Sequence, residues 1–556
     1  MSVYNIKSKN SYLTLGNNPF DVESLFYLLK STNVCPSGRQ SLLLRIPERV
    51  SEPILLTEIK NINTVEDSIS FEVEDITYEF KAVFTISTSR EGIKFKCKIE
   101  SEKPIWLLEW KLSGLKLNEV LVPALGGQSI KGSAPLGTVL SYKYPFWWNA
   151  QFVLGSFETG GLIIRSKDKK PNLKLLRVLK EQESFELTYG FEVPAPLNKK
   201  SFEAEWYLEL YKGDWKRGVD IHRQWLEKTF HLKPVKQHSN YPDWANNINF
   251  ILEVWGARRD RINPAHSFDE IRERIKEFAK FHDPRKTLVY LAGFAEHGID
   301  SNAPDYNPSI QCGGAEKFKL LVDEAHRLGY KVMIHTNVLA MTFHHRLYSE
   351  FKKYQVVDCF GRKQTWGIDM DGDWLAEPFF AYINPAYTAW GDLMEKTLGD
   401  LINKYDLDAI FLDQTLLAFN VSKGKNFLKG MRDHVKRLQQ AFPEILFAGE
   451  GIHEQVLPVL PMAQVHGIDS ITEVHGMEGK VEWREVHPVS SYLFGKYSKL
   501  VAHLLTKHPS NPLFTFQERS YDRLGVLPAL VLYTSDQPID IPETKAMIDR
   551  AESLKN

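Results

Sequence analysis

Residues 406–415 read Asp-Leu-Asp-Ala-Ile-Phe-Leu-Asp-Gln-Thr, and this stretch sets the interpretation of the whole chain. The apolar run between Asp408 and Asp413 is typical of a strand covered on both faces, as in a parallel sheet flanked by helices. A core strand has no packing reason to end on an acid, whereas the carboxyl ends of barrel strands carry functional side chains. The alternative is that Asp413 is a structural acid that binds in the turn or caps the next helix.

The next predicted strand supports the functional interpretation of Asp413. A helical pattern over residues 425–442 is followed by Glu-Ile-Leu-Phe-Ala-Gly-Glu at residues 444–450, a second apolar run that ends in an acid, Glu450. Two successive strands that each bring one carboxylate to the same barrel mouth supply the pair that glycoside hydrolysis needs. We therefore predict Asp413 and Glu450 as catalytic residues. Whether such a pair retains or inverts configuration depends on its separation in space.

Strands and helices alternate on both sides of this pair. Apolar runs predict three earlier strands, and helical patterns between them include one over residues 315–328 that ends at the stop signal Gly329. The strands expected before residue 406 are residues 250–255, 286–292 and 330–337, and those expected after Glu450 are 463–467, 489–495 and 527–533. Alternating βα units over about 300 residues predict a TIM (β/α)8 barrel. A doubly wound open sheet is the alternative, but no Gly-rich phosphate loop follows any strand.

The first 212 residues have a different pattern. Segments such as residues 70–80, 82–88 and 93–99 alternate apolar and polar side chains with period two, which indicates strands with one buried face. The predicted architecture is therefore an N-terminal antiparallel β-sandwich (residues 1–212), a helical linker (213–247) and a catalytic barrel (248–556).

Composition excludes several functional classes. The 556 residues carry a formal net charge of −1 at a sequence pI of about 7.0, so no global field favours nucleic acid or an anionic membrane. The four cysteines are scattered without metal-type spacing, and no apolar run approaches the roughly 18 residues of a membrane span. The N-terminal residues do not form a signal-peptide pattern. We expect a cytoplasmic protein with a carbohydrate substrate and no cofactor, and its oligomeric state is left open.

Further polar and aromatic residues follow the predicted strands or lie in the long excursion after the third strand. Loops of that size on the catalytic face usually shape a substrate pocket. The predicted substrate-binding residues are Trp255, Asp300, Asp305, His335, Asn337, Trp366, Asp369, Asn384, Gln414, Glu473 and His475. A structural role is the alternative for each of them. Asp369-Met-Asp-Gly-Asp373 resembles the start of a calcium loop but lacks its later ligands, so no metal site is predicted.

Three of these segments carry a family resemblance. Val332-Met-Ile-His-Thr-Asn337, Leu407-Asp-Ala-Ile-Phe-Leu-Asp413 and Glu450 resemble retaining α-glycosidases with a β-sandwich before a (β/α)8 barrel. The similarity is to the endo-α-N-acetylgalactosaminidase-like glycoside hydrolases and to a related uncharacterised bacterial group. The resemblance implies a nucleophile at Asp413, an acid/base at Glu450 and sugar hydroxyls held by His335 and Asn337. It does not extend to the substrate, because no residues here mark a pocket for an N-acetyl group.

Two other functional classes compete with a glycosidase. One is a carbohydrate-binding protein on a glycosidase scaffold, which the presence of both strand-end carboxylates disfavours. The other is a metal-dependent TIM-barrel hydrolase, in which the first strand should carry a His-x-His pair. Residues 251–258 contain no such pair. Transglycosylation would use the same glycosyl-enzyme as hydrolysis, with a sugar in place of water.

Overall fold

The computed structural model describes residues 4–90, 92–259, 262–367, 378–468, 471, 481–503 and 512–554. The chain forms two compact units. The first comprises Met1–His231, Asn420–Lys423 and Val481–Leu493, and the second comprises Leu232–Phe419, Gly424–Lys480 and Phe494–Asn556. The predicted domain ranges of 1–212, 213–247 and 248–556 stay a prediction.

The chain begins with nineteen described strands. In order they are β1 (Tyr4–Lys7), β2 (Ser11–Leu15), β3 (Asp21–Tyr27), β4 (Thr32–Cys35), β5 (Gly38–Arg45), β6 (Ile54–Leu56), β7 (Glu58–Val65), β8 (Ser68–Asp75), β9 (Phe80–Ser89), β10 (Gly92–Ser101), β11 (Leu107–Leu115), β12 (Glu119–Val122), β13 (Gln128–Lys131), β14 (Val139–Tyr144), β15 (Phe152–Phe157), β16 (Gly160–Arg165), β17 (Lys174–Lys180), β18 (Phe185–Glu192) and β19 (Ser201–Tyr211).

The remaining strands are β20 (Phe250–Trp255), β21 (Thr287–Ala292), β22 (Lys331–Asn337), β23 (Ala340–Thr342), β24 (Thr365–Trp366), β25 (Phe380–Tyr382), β26 (Ala409–Asp413), β27 (Leu446–Gly449), β28 (Met462–Val465), β29 (Arg484–Val486), β30 (Lys499–Ala502) and β31 (Ala529–Leu532). The described α-helices are α1 (Trp215–Phe230), α2 (Phe268–Phe278), α3 (Gly314–Leu328), α4 (Tyr348–Phe351), α5 (Thr388–Tyr405), α6 (Phe427–Ala441), α7 (Val489–Phe494), α8 (Pro512–Leu524) and α9 (Pro542–Ser553).

The first unit is the predicted antiparallel β-sandwich. One ten-stranded sheet follows the order β1-β2-β3-β5-β11-β18-β17-β14, with β4 and β6 at its side, and the other follows β29-β13-β12-β15-β16-β19-β10-β9-β8-β7. Strand β9 alternates buried and outward side chains over most of its length, as the period-two pattern predicts. Large aromatic side chains such as Trp110 and Trp206 fill the core with ring centroids 5.9 Å apart.

The second unit contains a parallel barrel with the strand order β30-β28-β27-β26-β22-β21-β20-β31. Leu527, just before β31, bonds to Leu500 and Ala502 in β30, so the ring of eight strands is nearly closed. Five of these strands, beginning with β20 and β21, are buried at almost every position, which explains why their sequences are continuous apolar runs. The predicted combination of β-sandwich and (β/α)8-type barrel is confirmed.

The helix-stop signal at Gly329 acts as predicted, and a capping box that was not predicted begins α2. Ser267 and Glu270 form a reciprocal capping box at the start of α2, and Gly329 ends α3 in the left-handed conformation that glycine favours. A three-stranded sheet, β23-β25-β24, forms within the excursion between β22 and α5. Among the residues that the structure describes, no helix combines the length and apolar composition needed to cross a membrane.

The prediction of a seventh barrel strand at residues 489–495 is wrong. Val489–Phe494 is helix α7, and the barrel strand is β30, Lys499–Ala502. Pro488 directly precedes the helix, and its carbonyl accepts a hydrogen bond from the backbone N–H of Tyr492 at 2.9 Å, so the chain turns into a helix at this point. Val489 and Leu493 are four residues apart, as on one face of a helix, but a segment this short does not show whether its period is that of a helix or of a strand.

Candidate active site

Three neighbouring strands bring Asn337, Asp413 and Glu450 to the carboxyl end of the barrel. Asn337 ends β22 and lies opposite Asp413, which ends β26. Glu450 follows β27, and its backbone N–H donates to the carbonyl of Leu412 at 3.1 Å. Parallel pairing in register therefore places the three side chains side by side, at the face where barrel proteins carry their chemistry.

The Asn337 amide is fixed by the backbone and points its donor group at the acids. Its Oδ1 accepts hydrogen bonds from the backbone N–H groups of Leu339 and Ala340, both at 2.9 Å. Its Nδ2 lies 2.9 Å from Asp300 Oδ2, 3.2 Å from Asp413 Oδ2 and 3.1 Å from Gln414 Oε1. Because two hydrogens serve three acceptors, Asn337 links these side chains into one network.

His335 extends the network behind Asp300. Its Nε2 lies 3.3 Å from Asp300 Oδ1, and its Nδ1 lies 2.7 Å from the Tyr290 hydroxyl. Asp300 adopts a backbone φ of 58°, which its place in this network holds in the left-handed region. Burial raises the pKa of Asp300, but the charge of His335 and the donor from Asn337 outweigh it, so the pKa lies below its ordinary value.

Glu450 is held from two sides. The backbone N–H of Gln414 donates to Glu450 Oε2 at 2.9 Å, and His466 Nε2 lies 3.2 Å from Glu450 Oε1. Gln414 has a φ of 63°, so the chain turns sharply just after Asp413 and presents this N–H to the glutamate. Burial raises the pKa of Glu450, but His466 and the Gln414 N–H lower it, and the net shift is downward.

Asp413 has the opposite electrostatic environment. Burial raises the pKa of its carboxyl, and the charges of Glu450 and Asp300 and hydrogen bonding with both raise it further, well above its ordinary value. Asp413 and Glu450 nevertheless keep part of their surface open to solvent. The site therefore places a carboxyl with a lowered pKa, Glu450, within hydrogen-bonding range of one with a raised pKa, Asp413.

A metal ion could use part of this cluster. One ligand atom each from Asp300, His335 and Asp413 lies within 4.8 Å of the other two. In the same arrangement, Asp300 is already bonded to His335 and Asn337, and Asp413 to Asn337. Metal binding would replace these contacts, and three ligands would leave one position of a four-coordinate ion, or several of a calcium ion, to water or substrate.

The other predicted binding residues lie at different places. Trp255 ends β20, and its indole N–H donates to Glu253 Oε1 at 2.7 Å, within the same barrel mouth. Asp305 lies 3.2 Å from His345 Nε2, and Trp366 pairs in β24 with Phe380. Asn384 bonds to the backbone of Lys425 and Ala386, where it supports the loop before α6. Asp369, Glu473 and His475 lie outside the described residues.

Tyr290, His466 and Tyr382 contact this network but were not predicted. Tyr290 lies inside an apolar strand, where it reads as a core residue, and its role emerges only from its contact with His335. Tyr382 comes from β25, and its hydroxyl hydrogen-bonds with Gln414. His466 follows a barrel strand as Glu450 does, so the strand-end signal could have identified it.

Comparisons with known proteins agree with this architecture. Residues 201–501 match the family model described as Domain of unknown function (DUF6259). The chain belongs to this family. No curated protein sequence matches the chain.

Solved structures match over nearly the whole length. The chain is similar to the α-N-acetylgalactosaminidase NagBb from Bifidobacterium bifidum in its GalNAc complex, with a TM-score of 0.74 and 12% identity over 99% of this chain and 92% of the other. The Gal-NHAc-DNJ complex of the same enzyme matches with a TM-score of 0.74 and 11% identity, over 100% of this chain and 93% of the other. The GH36 α-galactosidase AgaA from Geobacillus stearothermophilus matches with a TM-score of 0.49 and 10% identity, over 99% of this chain and 86% of the other. The fold of NagBb is thus the fold of this chain.

Proposed function

We propose that the protein is a glycoside hydrolase that cleaves an α-linked sugar by a retaining double displacement. The observation that supports this proposal most strongly is that the carboxyls of Asp413 and Glu450 lie in contact at the ends of adjacent barrel strands. Asp413 attacks the anomeric carbon while Glu450 gives its proton to the departing oxygen. Glu450 then takes a proton from water, which displaces Asp413 from the sugar.

This mechanism requires a proton to move when substrate binds. The raised pKa of Asp413 and the lowered pKa of Glu450 favour the proton on Asp413, whereas a nucleophile must be ionised and an acid must be protonated. Because the two carboxyls hydrogen-bond with each other, the proton can pass directly from Asp413 to Glu450. The donor from Asn337 to Asp413 Oδ2 then stabilises the resulting aspartate.

Substrate binding must also separate the two carboxyls. Retaining glycosidases hold their pair about 5–5.5 Å apart, and groups in hydrogen-bonding contact are closer than that. A sugar placed between them would break the contact and widen the pair towards the retaining distance. The Asp300, His335 and Asn337 network offers acceptors and donors for sugar hydroxyls beside Asp413.

The fold shared with NagBb guides the choice of sugar. Because that enzyme is an α-N-acetylgalactosaminidase and was solved with GalNAc, aryl α-N-acetylgalactosaminide is the first substrate to test. A panel of aryl α- and β-glycosides extends the test to other sugars. Proton NMR of the first-formed product then reports its configuration, with the Asp413→Asn protein as the control for contaminating enzymes.

The expected result is cleavage of an α-glycoside whose product first appears as the α-anomer. First appearance of the β-anomer would overturn the retaining mechanism. Binding of sugars without cleavage of any glycoside in the panel would contradict the enzyme and favour a carbohydrate-binding protein instead.

A further inference from the structure

The surface of the first unit carries a cleft of about 460 Å³ beside the loop that joins β16 to β17 and the start of β19. Its lining combines five lysines with three carboxylates, Asp168, Glu203 and Glu205. The lysines are Lys98, Lys167, Lys169, Lys170 and Lys199, and we name this site the lysine cleft.

The three carboxylates are neutralised by lysines that do not line the cleft. Lys174 Nζ lies 3.1 Å from Asp168 Oδ2, and its side chain is fully buried. Lys96 pairs with Glu203 at 2.9 Å, and Lys94 pairs with Glu205 at 2.6 Å. The acids of the lining are therefore not available to balance its own lysines.

The lysines of the lining form an excess of positive charge. Lys98 pairs with Glu100, whereas Lys169, Lys170 and Lys199 are exposed and make no ion pair with any residue that the structure describes. These residues line one concave surface, where neighbouring positive charges raise the local potential for an anion.

Aromatic side chains complete the lining. Tyr207 and Phe191 are largely buried, and Lys167 Nζ lies 4.1 Å from the centroid of the Tyr207 ring. The Lys167 ammonium therefore covers this ring, and the lining presents mainly charged groups, which pair with the acidic substituents of a ligand. Several ammonium groups spread over one cleft match a chain with repeated acidic groups, such as an acidic carbohydrate, better than a simple inorganic anion.

We propose that the lysine cleft binds an anionic oligosaccharide through its carboxylate or sulfate groups. Its volume falls within the roughly 300–1,000 Å³ of small-ligand pockets, which suits a few sugar rings better than a nucleic acid duplex or a flat membrane surface. The site lies wholly in the first unit and uses no barrel residue, so it is independent of the proposed hydrolysis.

Isothermal titration of the full-length protein tests the site. The probes are a galacturonate tetramer and a heparin tetrasaccharide, with maltotetraose as the neutral control. The variant Lys169→Gln/Lys170→Gln/Lys199→Gln removes three charges from the cleft. The matched variant Lys7→Gln/Lys9→Gln/Lys30→Gln removes three exposed lysine charges from the same unit outside it.

The acidic probes should bind and the neutral one should not, with weaker binding at higher salt. The cleft variant should bind about 10-fold or more weakly, since each partly exposed charge pair contributes a modest amount, while the matched variant stays within about 2-fold. The triple Lys→Arg variant at the same positions should retain binding, and unchanged melting temperatures exclude misfolding.

Three outcomes would overturn the proposal. The first is equal weakening by the cleft and matched variants. The second is equal affinity for maltotetraose and the acidic probes, or no binding of either. The third is binding of single-stranded DNA or phosphatidylserine vesicles that the cleft variant abolishes, in the absence of oligosaccharide binding.

Discussion

The two ends of strand β26 carry the same side chain in opposite surroundings. Asp408, just before the strand, bonds to Lys331 Nζ at 2.6 Å, to His326 Nε2 at 2.8 Å and to a backbone N–H. Burial raises the pKa of Asp408, but these donors outweigh it and the pKa is lowered. Asp413, five residues later, faces two further acids and has a raised pKa.

Under the proposed function, this difference separates a stabilising acid from a catalytic one. The amino end of the strand satisfies its carboxylate fully, as expected at the face of a barrel that serves stability. The carboxyl end gathers acids whose burial and charges raise the pKa of Asp413, an arrangement that costs stability. The contrast makes each acid the control for the other.

The largest expected effect follows from Asp413→Asn. This change removes the nucleophile and also the repulsion, so turnover on the best α-glycoside should fall about 10⁴-fold or more. The melting temperature should be unchanged or higher. Steady-state kinetics and thermal melting check both parts, and normal turnover by this variant would refute the role of Asp413.

Glu450→Ala should produce a smaller loss that depends on the leaving group. A general acid contributes about 10²–10⁴-fold, so substrates with poor leaving groups should lose more than nitrophenyl glycosides. Azide should restore turnover and yield a glycosyl azide, because azide needs no base. Glu444→Ala, at the exposed amino side of the same strand, is the matched control and should keep normal kinetics. Equal losses for all leaving groups would argue against an acid/base role.

Asp408→Asn should have the opposite effects: it should lower stability and leave turnover nearly unchanged. The change leaves Lys331 and His326 without their carboxylate, which should destabilise the fold by about 1–3 kcal/mol while turnover stays within about 2-fold. Thermal or urea unfolding measures the loss of stability. An unchanged melting temperature combined with a large loss of turnover would contradict the stabilising role.

Asp413 and Asp408 should also make stability depend on pH with opposite signs. The raised pKa of Asp413 means that the folded state keeps the extra proton, so its contribution to stability falls as pH rises from about 4 towards that pKa. The lowered pKa of Asp408 gives a contribution that is present above about pH 4 and is lost as pH falls through the folded-state pKa.

Melting temperatures of the wild type and both Asn variants from pH 3 to 8 test this sign. The melting temperature of Asp413→Asn should exceed that of the wild type by a margin that grows as pH rises. The melting temperature of Asp408→Asn should lie below that of the wild type by a constant amount above about pH 4, and the difference should shrink at lower pH. Parallel curves for all three proteins would show that the two acids do not differ.

The sequence predicted the parts of this fold that have a local cause. Strands β20, β21, β22, β26 and β27 are buried on both faces, so each is a visible apolar run. Asp413, Glu450 and Asn337 could be predicted because each ends or follows such a run. Strand β30 was missed because the apolar segment just before it, residues 489–494, fits a strand pattern equally well and forms α7 instead.

Long-range contacts could not be predicted in this way. Strand β29 completes the sandwich by pairing Val486 with Gln128, more than 300 residues away, and no local pattern encodes that partner. Tyr290 has the sequence environment of a core residue, and its contact with His335 depends on the register of two neighbouring strands. The same holds for the opposite pKa shifts of Asp408 and Asp413, which come from residues distant in sequence.

The most direct measurement is mass spectrometry after trapping with a 5-fluoro glycosyl fluoride of the preferred sugar. Asp413 as the nucleophile predicts one label per chain, located on the peptide that contains Asp413, and no label on the Asp413→Asn protein. A label on Glu450, or an active enzyme that turns over the trap through no covalent intermediate, would contradict the account.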